Sequence, residues 1–239
     1  MVRTALVTGG SGGIGSECVR ELSTDHNVAF QYYSNEEAAE ELVNELGDDG
    51  DTDVLPVQAN ITDEDDVTEM VSTVEDELGS LDILVNSAGI MKGQGLDDLS
   101  PGDIKQTISI NLVGTILCTR EALPVILESD RGHIINVSST AGTHGSHGDP
   151  VYGASKGGQV AFTRSLASVY TKENVFTNAV APGAVETEMF PEEWVEGVEK
   201  GYPLGRLIQP EEVAEAVVFL TKTTSISGEI LEIDQGKLL

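Results

Sequence analysis

The stretch "DPVYGASKGG" places a tyrosine, Tyr152, four residues before a lysine, Lys156. In a helix, this spacing puts both side chains on one face. The ordinary pKa of a tyrosine is about 10, and a nearby cationic lysine favours the phenolate and lowers that pKa. Such a phenol could give a proton to a carbonyl oxygen as hydride reaches the carbon, or take it back in reverse. Ser139, just past the run "HIINVS", could bind the same oxygen.

Short matches of this kind also occur by chance, so their meaning depends on the elements that position them. Short apolar runs alternate along the chain with longer amphipathic stretches, which predicts an α/β fold. The pattern indicates a single-domain Rossmann fold over residues 1–239, a doubly wound parallel sheet of about seven strands flanked by helices. Strands are predicted at 4–10, 27–33, 53–59, 81–87, 133–139, 174–180 and 228–234. Helices are predicted at 14–23, 36–46, 63–78, 103–127, 152–171 and 210–221. Residues 184–208 break this rhythm, and we expect them to cover a substrate cleft.

A glycine-rich turn follows the first predicted strand in "ALVTGGSGGIGSECVREL". We expect Gly9 to make the tight turn, Gly13 to allow close approach of a pyrophosphate, and Gly15 to pack the helix on the strand. A serine and a glutamate follow the last glycine, where a nucleoside-triphosphate loop needs a lysine, so that class is excluded. The predicted dinucleotide loop comprises Gly9, Gly10, Ser11, Gly12, Gly13, Ile14 and Gly15.

The end of the second predicted strand bears on the choice of dinucleotide. An NAD-binding fold usually has an acid there for the ribose 2′-hydroxyl, but here the position carries Tyr32 or Tyr33. The absence of an acid favours NADP(H). NAD(H) is also possible, because no arginine or lysine stands nearby to bind a 2′-phosphate. Ser11, Tyr33, Ser34 and Asn35 could supply hydrogen bonds instead.

Six motifs in order, "TGGSGGIG", "NSAG", "SINLVGT", "INVSS", "YGASK" and "APGAVET", make the chain similar to the short-chain dehydrogenase/reductase family over essentially its whole length. The resemblance implies that Ser139 polarises a carbonyl, that Tyr152 is the proton donor or acceptor, and that Lys156 binds the nicotinamide ribose. It implies that Asn111 holds a water that relays protons to the lysine. It requires no metal, and we read His144 and His147 as loop residues near the cleft.

The same resemblance implies further contacts to the dinucleotide. Asn60 and Ile61 correspond to the pair beside the adenine. The stretch 86–89 would line the adenosine ribose, and the stretch 182–187 would hold the nicotinamide carboxamide. The residues expected in these two stretches are Asn86, Ala88, Gly89, Pro182, Gly183, Val185 and Thr187.

Within the family, "NITD", "PGAVETEM" and "PLGRLIQPEEVAEAVVFL" are most similar to the 3-oxoacyl-thioester reductases. This implies NADPH-dependent reduction of a 3-oxoacyl thioester, carried on acyl-carrier protein or CoA, for example acetoacetyl-CoA. An alcohol or sugar dehydrogenase of the same family is the alternative. A second alternative is a non-catalytic dinucleotide sensor. The presence of all four implied catalytic residues argues against it: Ser139, Tyr152, Lys156 and Asn111. Gly12 and Tyr33 stand where NADP-using members often carry basic residues.

The chain has 41 acidic and 13 basic residues, a formal net charge of −28. Such a surface repels nucleic acid and anionic membranes, so neither is an expected partner. At about 1 M salt the Debye length is roughly 3 Å, which would screen this charge, and we hypothesise a halophilic source. In a halophilic archaeon, acetoacetyl-CoA reduction for polyhydroxyalkanoate storage becomes the more attractive substrate hypothesis.

Two cysteines and the absence of a signal-peptide pattern predict a reducing, cytoplasmic location. An anionic CoA or carrier would need a basic spot at the mouth of the cleft, for which Lys92, Lys105, Lys200 and Arg206 are candidates. The apolar stretch 104–127 predicts core packing. In the family, the matching helix also forms subunit contacts, which implies a homo-oligomer, usually a tetramer.

Overall fold

A single parallel sheet forms the centre of the protein. The computed structural model describes residues 2–47, 52–146 and 148–237. Its strands are β1 Arg3–Thr8, β2 His26–Tyr32, β3 Val54–Gln58, β4 Ile83–Asn86, β5 Gly132–Val137, β6 Val175–Pro182 and β7 Ile230–Ile233. They pair in the order β3-β2-β1-β4-β5-β6-β7, all in parallel. The predicted doubly wound sheet is therefore confirmed.

Helices cover both faces of this sheet. The α-helices are α1 Gly13–Ser23, α2 Glu36–Leu46, α3 Glu64–Leu78, α4 Pro101–Ile108, α5 Thr115–Ile126, α6 Thr140–His144, α7 Pro150–Tyr170, α8 Val195–Gly201 and α9 Pro210–Thr221. The predicted helix over 103–127 is two helices, because a π-helical turn, Ser109–Gly114, separates α4 from α5. The short helices α6 and α8 were not predicted, since each is less than two turns of amphipathic sequence.

Neighbouring residues of one strand supply the two faces of the core. Leu6 packs in the cluster that contains Cys118 of α5, whereas Val7 packs in the cluster that contains Cys18 of α1. All four are fully buried, and both cysteines are free thiols. Complete burial of such an apolar side chain contributes about 1.5–3 kcal/mol, so the strands are held from both sides. This two-sided burial explains why apolar residues occupy successive positions in the central strands, such as Ala5, Leu6 and Val7 of β1.

The helical stretch Pro101–Ile126 is long and apolar enough to cross a membrane, judged by length and composition alone. In the structure, Cys118, Ala122 and Ile126 of this stretch pack into the core against β4 and β5. The stretch therefore forms one of the layers that cover the sheet.

The carboxyl ends of all strands lie along one edge of the sheet. From β1 the chain adds β2 and β3 on one side and then crosses over to add β4 on the other side, so a topological switch point lies between β1 and β4. Thr8, the last residue of β1, pairs with Asn86, the last residue of β4. In doubly wound sheets, ligands bind in the crevice at such a switch point. The predicted glycine turn and the predicted Ser139, Tyr152 and Lys156 all lie at this edge.

Candidate active site

The glycine turn adopts a conformation and a packing that only glycine permits at two positions. Gly9 has a φ of +66°, and a Cβ built on it would lie 2.8 Å from Ala88 Cα. A Cβ on Gly15 would lie 2.1 Å from Gly9 O, because α1 packs directly on the turn. Gly12 caps α1 without a side-chain bond, so the first-turn N–H groups of this helix remain available to an anion.

Gln31 fixes this turn from β2 and was missed in the sequence. Its Oε1 accepts a hydrogen bond from Gly9 N at 2.9 Å, and its Nε2 donates to Ala59 O at 2.7 Å. The side chain is 3% exposed. A glutamine within an apolar strand run is the signal that could have identified it, because a buried amide needs partners.

A crevice of about 730 Å³ opens above the turn. The predicted residues that line it are Gly9, Ser11, Gly12, Gly13, Ile14, Gly15, Tyr32, Tyr33, Ser34, Asn60, Ile61, Ala88, Gly89 and Thr187. A Cβ built on Gly13 would lie 2.6 Å from Thr187 Cγ2, so any side chain there would narrow the crevice. This crevice is lined by the glycine turn at the start of α1, whose first N–H groups are free, and it fits a dinucleotide.

Two predicted dinucleotide contacts lie behind the wall of this crevice. A Cβ on Gly10 would lie 2.5 Å from Phe30 Cβ, so this glycine allows the turn to pack on β2. Asn86 is 1% exposed, and its Nδ2 donates to Thr119 Oγ1 and Asn136 Oδ1. Both residues therefore support the crevice from below.

A second cavity of about 370 Å³ adjoins the crevice. Ser139, Tyr152 and Lys156 line it together with the predicted Pro182, Gly183 and Val185. Its remaining wall is largely apolar and includes Met91, Met189, Phe190, Trp194, Val198 and Tyr202. Ile14, Gly89 and Thr187 border both cavities, so a ligand can extend from one into the other.

Segment 184–208 supplies one side of this second cavity. Its base is fixed, because Glu186 N donates to Ile208 O at 2.9 Å and Ala184 N donates to Tyr202 Oη at 2.9 Å. Its outer part contains α8 and a preceding 3₁₀ turn, Glu192–Trp194. The segment therefore forms one wall of the second cavity, and its role as a substrate cover stays a prediction.

The predicted side chains meet at the floor of the cavity. Lys156 Nζ donates to Val137 O at 2.8 Å and lies 5.7 Å from the ring centroid of Tyr152. Ser139 caps α6, where its Oγ accepts from Ala141 N at 3.1 Å and donates to Pro182 O at 3.4 Å. Asp149 caps α7 through a 2.9 Å bond from Tyr152 N, with a proline at the first helical position.

The protonation of this site differs from the prediction made from sequence. Burial raises the pKa of Tyr152 to about 12, with a further rise from the Asp149 charge and an opposing effect from the Ser139 hydroxyl. Burial lowers the pKa of Lys156 to about 7. The expectation that the lysine would lower the tyrosine pKa is therefore wrong for the protein alone. Desolvation is the largest cause of the shift of both groups.

Asn111 lies in the π-helical turn behind Gly89. Its Oδ1 accepts from Ile90 N at 2.8 Å, and its Nδ2 donates to Ile90 O at 2.9 Å and to Ser155 Oγ at 3.0 Å. A Cβ built on Gly89 would lie 3.3 Å from Asn111 Oδ1 and 3.4 Å from Lys156 Nζ. The structure therefore brings the asparagine and the lysine to the same glycine.

The four predicted cations do not form a basic patch. Lys92 lies 3.1 Å from Asp103, and Arg206 binds Glu212 at 2.7 Å. Lys200 pairs with Glu196, and Lys105 lines the dinucleotide crevice. Three of the four are thus neutralised by carboxylates.

Of the two histidines just before α7, the structure describes His144. His144 Nε2 lies 2.8 Å from Glu232 Oε1, and His147 lies outside the described residues. Within the described part of the chain, no group of three histidine, cysteine or carboxylate side chains could hold a metal ion.

Comparisons with known proteins agree with this geometry. Residues 3–196 match the family model of the short chain dehydrogenases. The chain is 37% identical over 237 residues to carbonyl reductase family member 4 of Xenopus laevis, covering 99% of this chain and 98% of the relative. It is 35% identical over 241 residues to the 3-oxoacyl-[acyl-carrier-protein] reductase of Synechocystis, covering 99% and 97%.

A solved structure gives the same answer for the fold. A dehydrogenase/reductase from Sinorhizobium meliloti superimposes with a TM-score of 0.93 at 29% identity, covering 99% of this chain and 95% of that one. Its fold and the family match agree with a crevice that fits a nicotinamide dinucleotide. The chain belongs to the short-chain dehydrogenase family and is an NAD(P)-dependent oxidoreductase.

Proposed function

We propose that the protein reduces a 3-oxoacyl thioester to the 3-hydroxyacyl thioester. The observation that carries this proposal is the second cavity, where a hydroxyl, a phenol and an amine meet an apolar wall beside the dinucleotide crevice. The polar floor suits the reacting carbonyl, and the apolar wall suits an acyl chain. The full-length similarity to 3-oxoacyl-[acyl-carrier-protein] reductases supports this choice of substrate.

Each polar side chain has a separate task in this proposal. When bound, the reduced dinucleotide supplies the hydride. Ser139 Oγ holds the carbonyl oxygen by hydrogen bonding, and the Tyr152 hydroxyl gives that oxygen its proton. Burial keeps Tyr152 protonated, which is the form that the reductive direction requires. Lys156 holds the nicotinamide ribose, and Asn111 completes a path that returns a proton to the site.

We propose NADP(H) as the preferred dinucleotide, with NAD(H) accepted. The residues after β2 that line the crevice are Tyr33, Ser34 and Asn35, which carry no carboxylate for a ribose diol. The first acids, Glu36 and Glu37, lie in the first turn of α2 and act against a 2′-phosphate. These opposing features limit the preference, and high salt would screen the acids.

A simple carbonyl compound is the second candidate substrate, favoured by the paired cations. Lys92, Lys200 and Arg206 each have a carboxylate partner, so these three cations offer a CoA or carrier phosphate little net attraction. A neutral ketone needs no such attraction. The relative named carbonyl reductase family member 4 is consistent with this alternative.

A spectrophotometric assay separates the candidates. Oxidation of NADPH and of NADH is followed with acetoacetyl-CoA, with the same thioester on acyl-carrier protein, and with a neutral ketone, in low and high KCl. We expect the highest kcat/KM with NADPH and a 3-oxoacyl thioester in high KCl. A higher kcat/KM with the neutral ketone would replace the thioester proposal.

We also propose a homotetramer in a salt-rich cytoplasm. Several apolar side chains on two helices are exposed. On the Pro101–Ile126 stretch and directly after it, the exposed fraction is 41% for Val113, 37% for Ile116 and 38% for Leu127. On α7, Val169 is 50% exposed. Burial of these side chains between copies of the chain would remove an apolar surface from water. Light scattering in high KCl tests this assembly, and a monomer at micromolar concentration would contradict it.

A further inference from the structure

A second phenol, Tyr202, lies in the wall of the cavity that contains Tyr152. The Tyr202 Oη accepts a hydrogen bond from Ala184 N at 2.9 Å. The hydrogen bonds of the described residues include no acceptor for the Tyr202 O–H. Because a phenol can accept and donate at the same time, its proton remains available to a ligand in the cavity.

The position of this hydroxyl is fixed from several sides. Tyr202 N donates to Val198 O at 2.8 Å. Lys237 Nζ lies 5.6 Å from the centroid of the Tyr202 ring and donates to Gly201 O at 2.6 Å. A Cβ built on Gly183 would lie 2.5 Å from Tyr202 Oη, so this glycine leaves the room that the phenol occupies. A donor that is already held in place loses little side-chain entropy when it binds a ligand.

The hydroxyls of Tyr202 and Ser139 contact the same short stretch of backbone, Pro182–Ala184. Ser139 Oγ donates to Pro182 O at 3.4 Å, two residues before the N–H group that binds Tyr202. Placed polar groups of this kind fix the orientation of a ligand in a largely apolar cavity. A 3-oxoacyl thioester has two carbonyl groups separated by one methylene group, whereas a simple ketone has a single carbonyl group.

We infer that Tyr202 is a substrate-binding residue whose hydroxyl donates to the second carbonyl of the substrate, while Ser139 and Tyr152 bind the carbonyl that is reduced. This inference rests on the proposed function, in which the second carbonyl is that of the thioester. It makes the substrate class more specific, because the preferred substrate then carries a carbonyl one methylene group away from the reacting ketone.

The nicotinamide carboxamide offers a carbonyl oxygen as well. Ala184, the backbone partner of Tyr202, belongs to the stretch 182–187 that is expected to hold this carboxamide. The shared chemistry is a carbonyl acceptor, and the two sources differ in what removal of the hydroxyl does to dinucleotide binding.

The test compares Tyr202→Phe with a matched control, Tyr170→Phe. Tyr170 is the last residue of α7 and is not among the residues that line the two cavities. Both changes remove one phenolic oxygen, and Tyr202→Phe keeps the ring beside Lys237. Each protein is assayed in high KCl with NADPH and three substrates. These are acetoacetyl-CoA, ethyl acetoacetate, and 2-heptanone, which has the chain length of the ester and lacks its second carbonyl.

We expect Tyr202→Phe to lower kcat/KM for acetoacetyl-CoA and for ethyl acetoacetate roughly fivefold, the effect of one neutral hydrogen bond. Its kcat/KM for 2-heptanone and its Kd for NADPH should change less than about twofold, and so should every value of Tyr170→Phe. An equal loss for all three substrates would mean that the hydroxyl acts only through Ala184, and it would overturn the inference. A loss of NADPH affinity would assign the hydroxyl to the carboxamide and would also overturn it.

The parent protein provides a second test if Tyr202→Phe fails to fold. We expect its KM for ethyl acetoacetate to lie roughly fivefold below its KM for 2-heptanone. Equal KM values would overturn the inference.

The same assays separate this inference from the proposed function. If the parent protein reduces ethyl acetoacetate and no thioester, and Tyr202→Phe lowers kcat/KM for the ester alone, the proposed substrate fails and the inference stands. If Tyr202→Phe and the parent protein reduce acetoacetyl-CoA equally well, the inference fails and the proposed function stands.

Discussion

The Lys156 side chain is buried, with only 4% of the residue exposed. This burial lowers the free energy of unfolding near neutral pH. Burial lowers the pKa of its amine from 10.5 to about 7. In the unfolded chain the amine binds its proton more tightly than in the folded one. Stability from this group is therefore complete above about pH 10.5, and it falls as the pH drops towards about 7.

The size of this effect follows from the same values. One pKa unit corresponds to about 1.4 kcal/mol, so the cost below pH 7 approaches about 5 kcal/mol. Between about pH 10 and about pH 7 the expected loss is about 3 kcal/mol. Lys156→Met keeps a side chain of similar length without a charge and removes this pH dependence.

The assay is urea unfolding of both proteins without dinucleotide, at constant high KCl, from pH 7 to about 10. We expect Lys156→Met to be the more stable protein at pH 7, and its advantage to shrink by about 3 kcal/mol at the higher pH. Both proteins contain the same other lysines, so the titration of those lysines cancels in the difference between the two unfolding free energies. A difference that stays constant over this range would refute the reasoning.

Three further predictions concern the dinucleotide turn, the cover and the surface charge. Gln31→Leu removes the bonds to Gly9 and Ala59 and should weaken NADPH binding roughly tenfold, measured by fluorescence titration. The Trp194 indole closes the cavity near Gly148, whose built Cβ would lie 2.9 Å from Trp194 Cη2. Trp194→Ala should therefore raise kcat/KM for long-chain relative to short-chain 3-oxoacyl thioesters roughly tenfold. The net charge of −28 should make the melting temperature rise by about 10 °C or more between dilute buffer and about 2 M KCl.

Each of these predictions has an outcome that contradicts it. Unchanged NADPH affinity in Gln31→Leu would mean that the turn is fixed without the amide. An equal change in kcat/KM for all chain lengths in Trp194→Ala would show that the indole does not limit the acyl pocket. Full stability and activity in dilute buffer would contradict the halophilic hypothesis.

The strands and long helices were predictable because the positions of their apolar residues follow the side chains that the fold buries. The run of β5 is buried on both faces and contains Ile134, Ile135 and Val137. Helix α9 begins at a proline that marks a helix start in the sequence, so its predicted bounds match Pro210–Thr221. The turn glycines were predictable because backbone geometry restricts those positions to glycine. Tyr152 and Lys156 were predictable because their spacing fixes a shared helix face.

Other features depend on contacts that no local pattern contains. The π-helical turn at Asn111 is held by bonds to Ile90, which lies in another loop. The ionisation of Tyr152 depends on how deeply the fold buries it, which the spacing to Lys156 does not reveal. In the sequence, Asp149 precedes a proline and is recognisable only as a helix cap. The bonds from its second oxygen to the loop after β4 are not predictable, because that loop is distant in sequence.

Turnover and dinucleotide binding of Tyr152→Phe test the central claim most directly. Both are measured in high KCl, with NADPH oxidation by acetoacetyl-CoA as the reaction and fluorescence titration as the binding assay. The account predicts that kcat falls by about a thousandfold or more, because the phenyl ring has no proton to give, while the Kd for NADPH changes less than about threefold. A variant that keeps the turnover of the parent protein would contradict the assignment of Tyr152 as the proton donor.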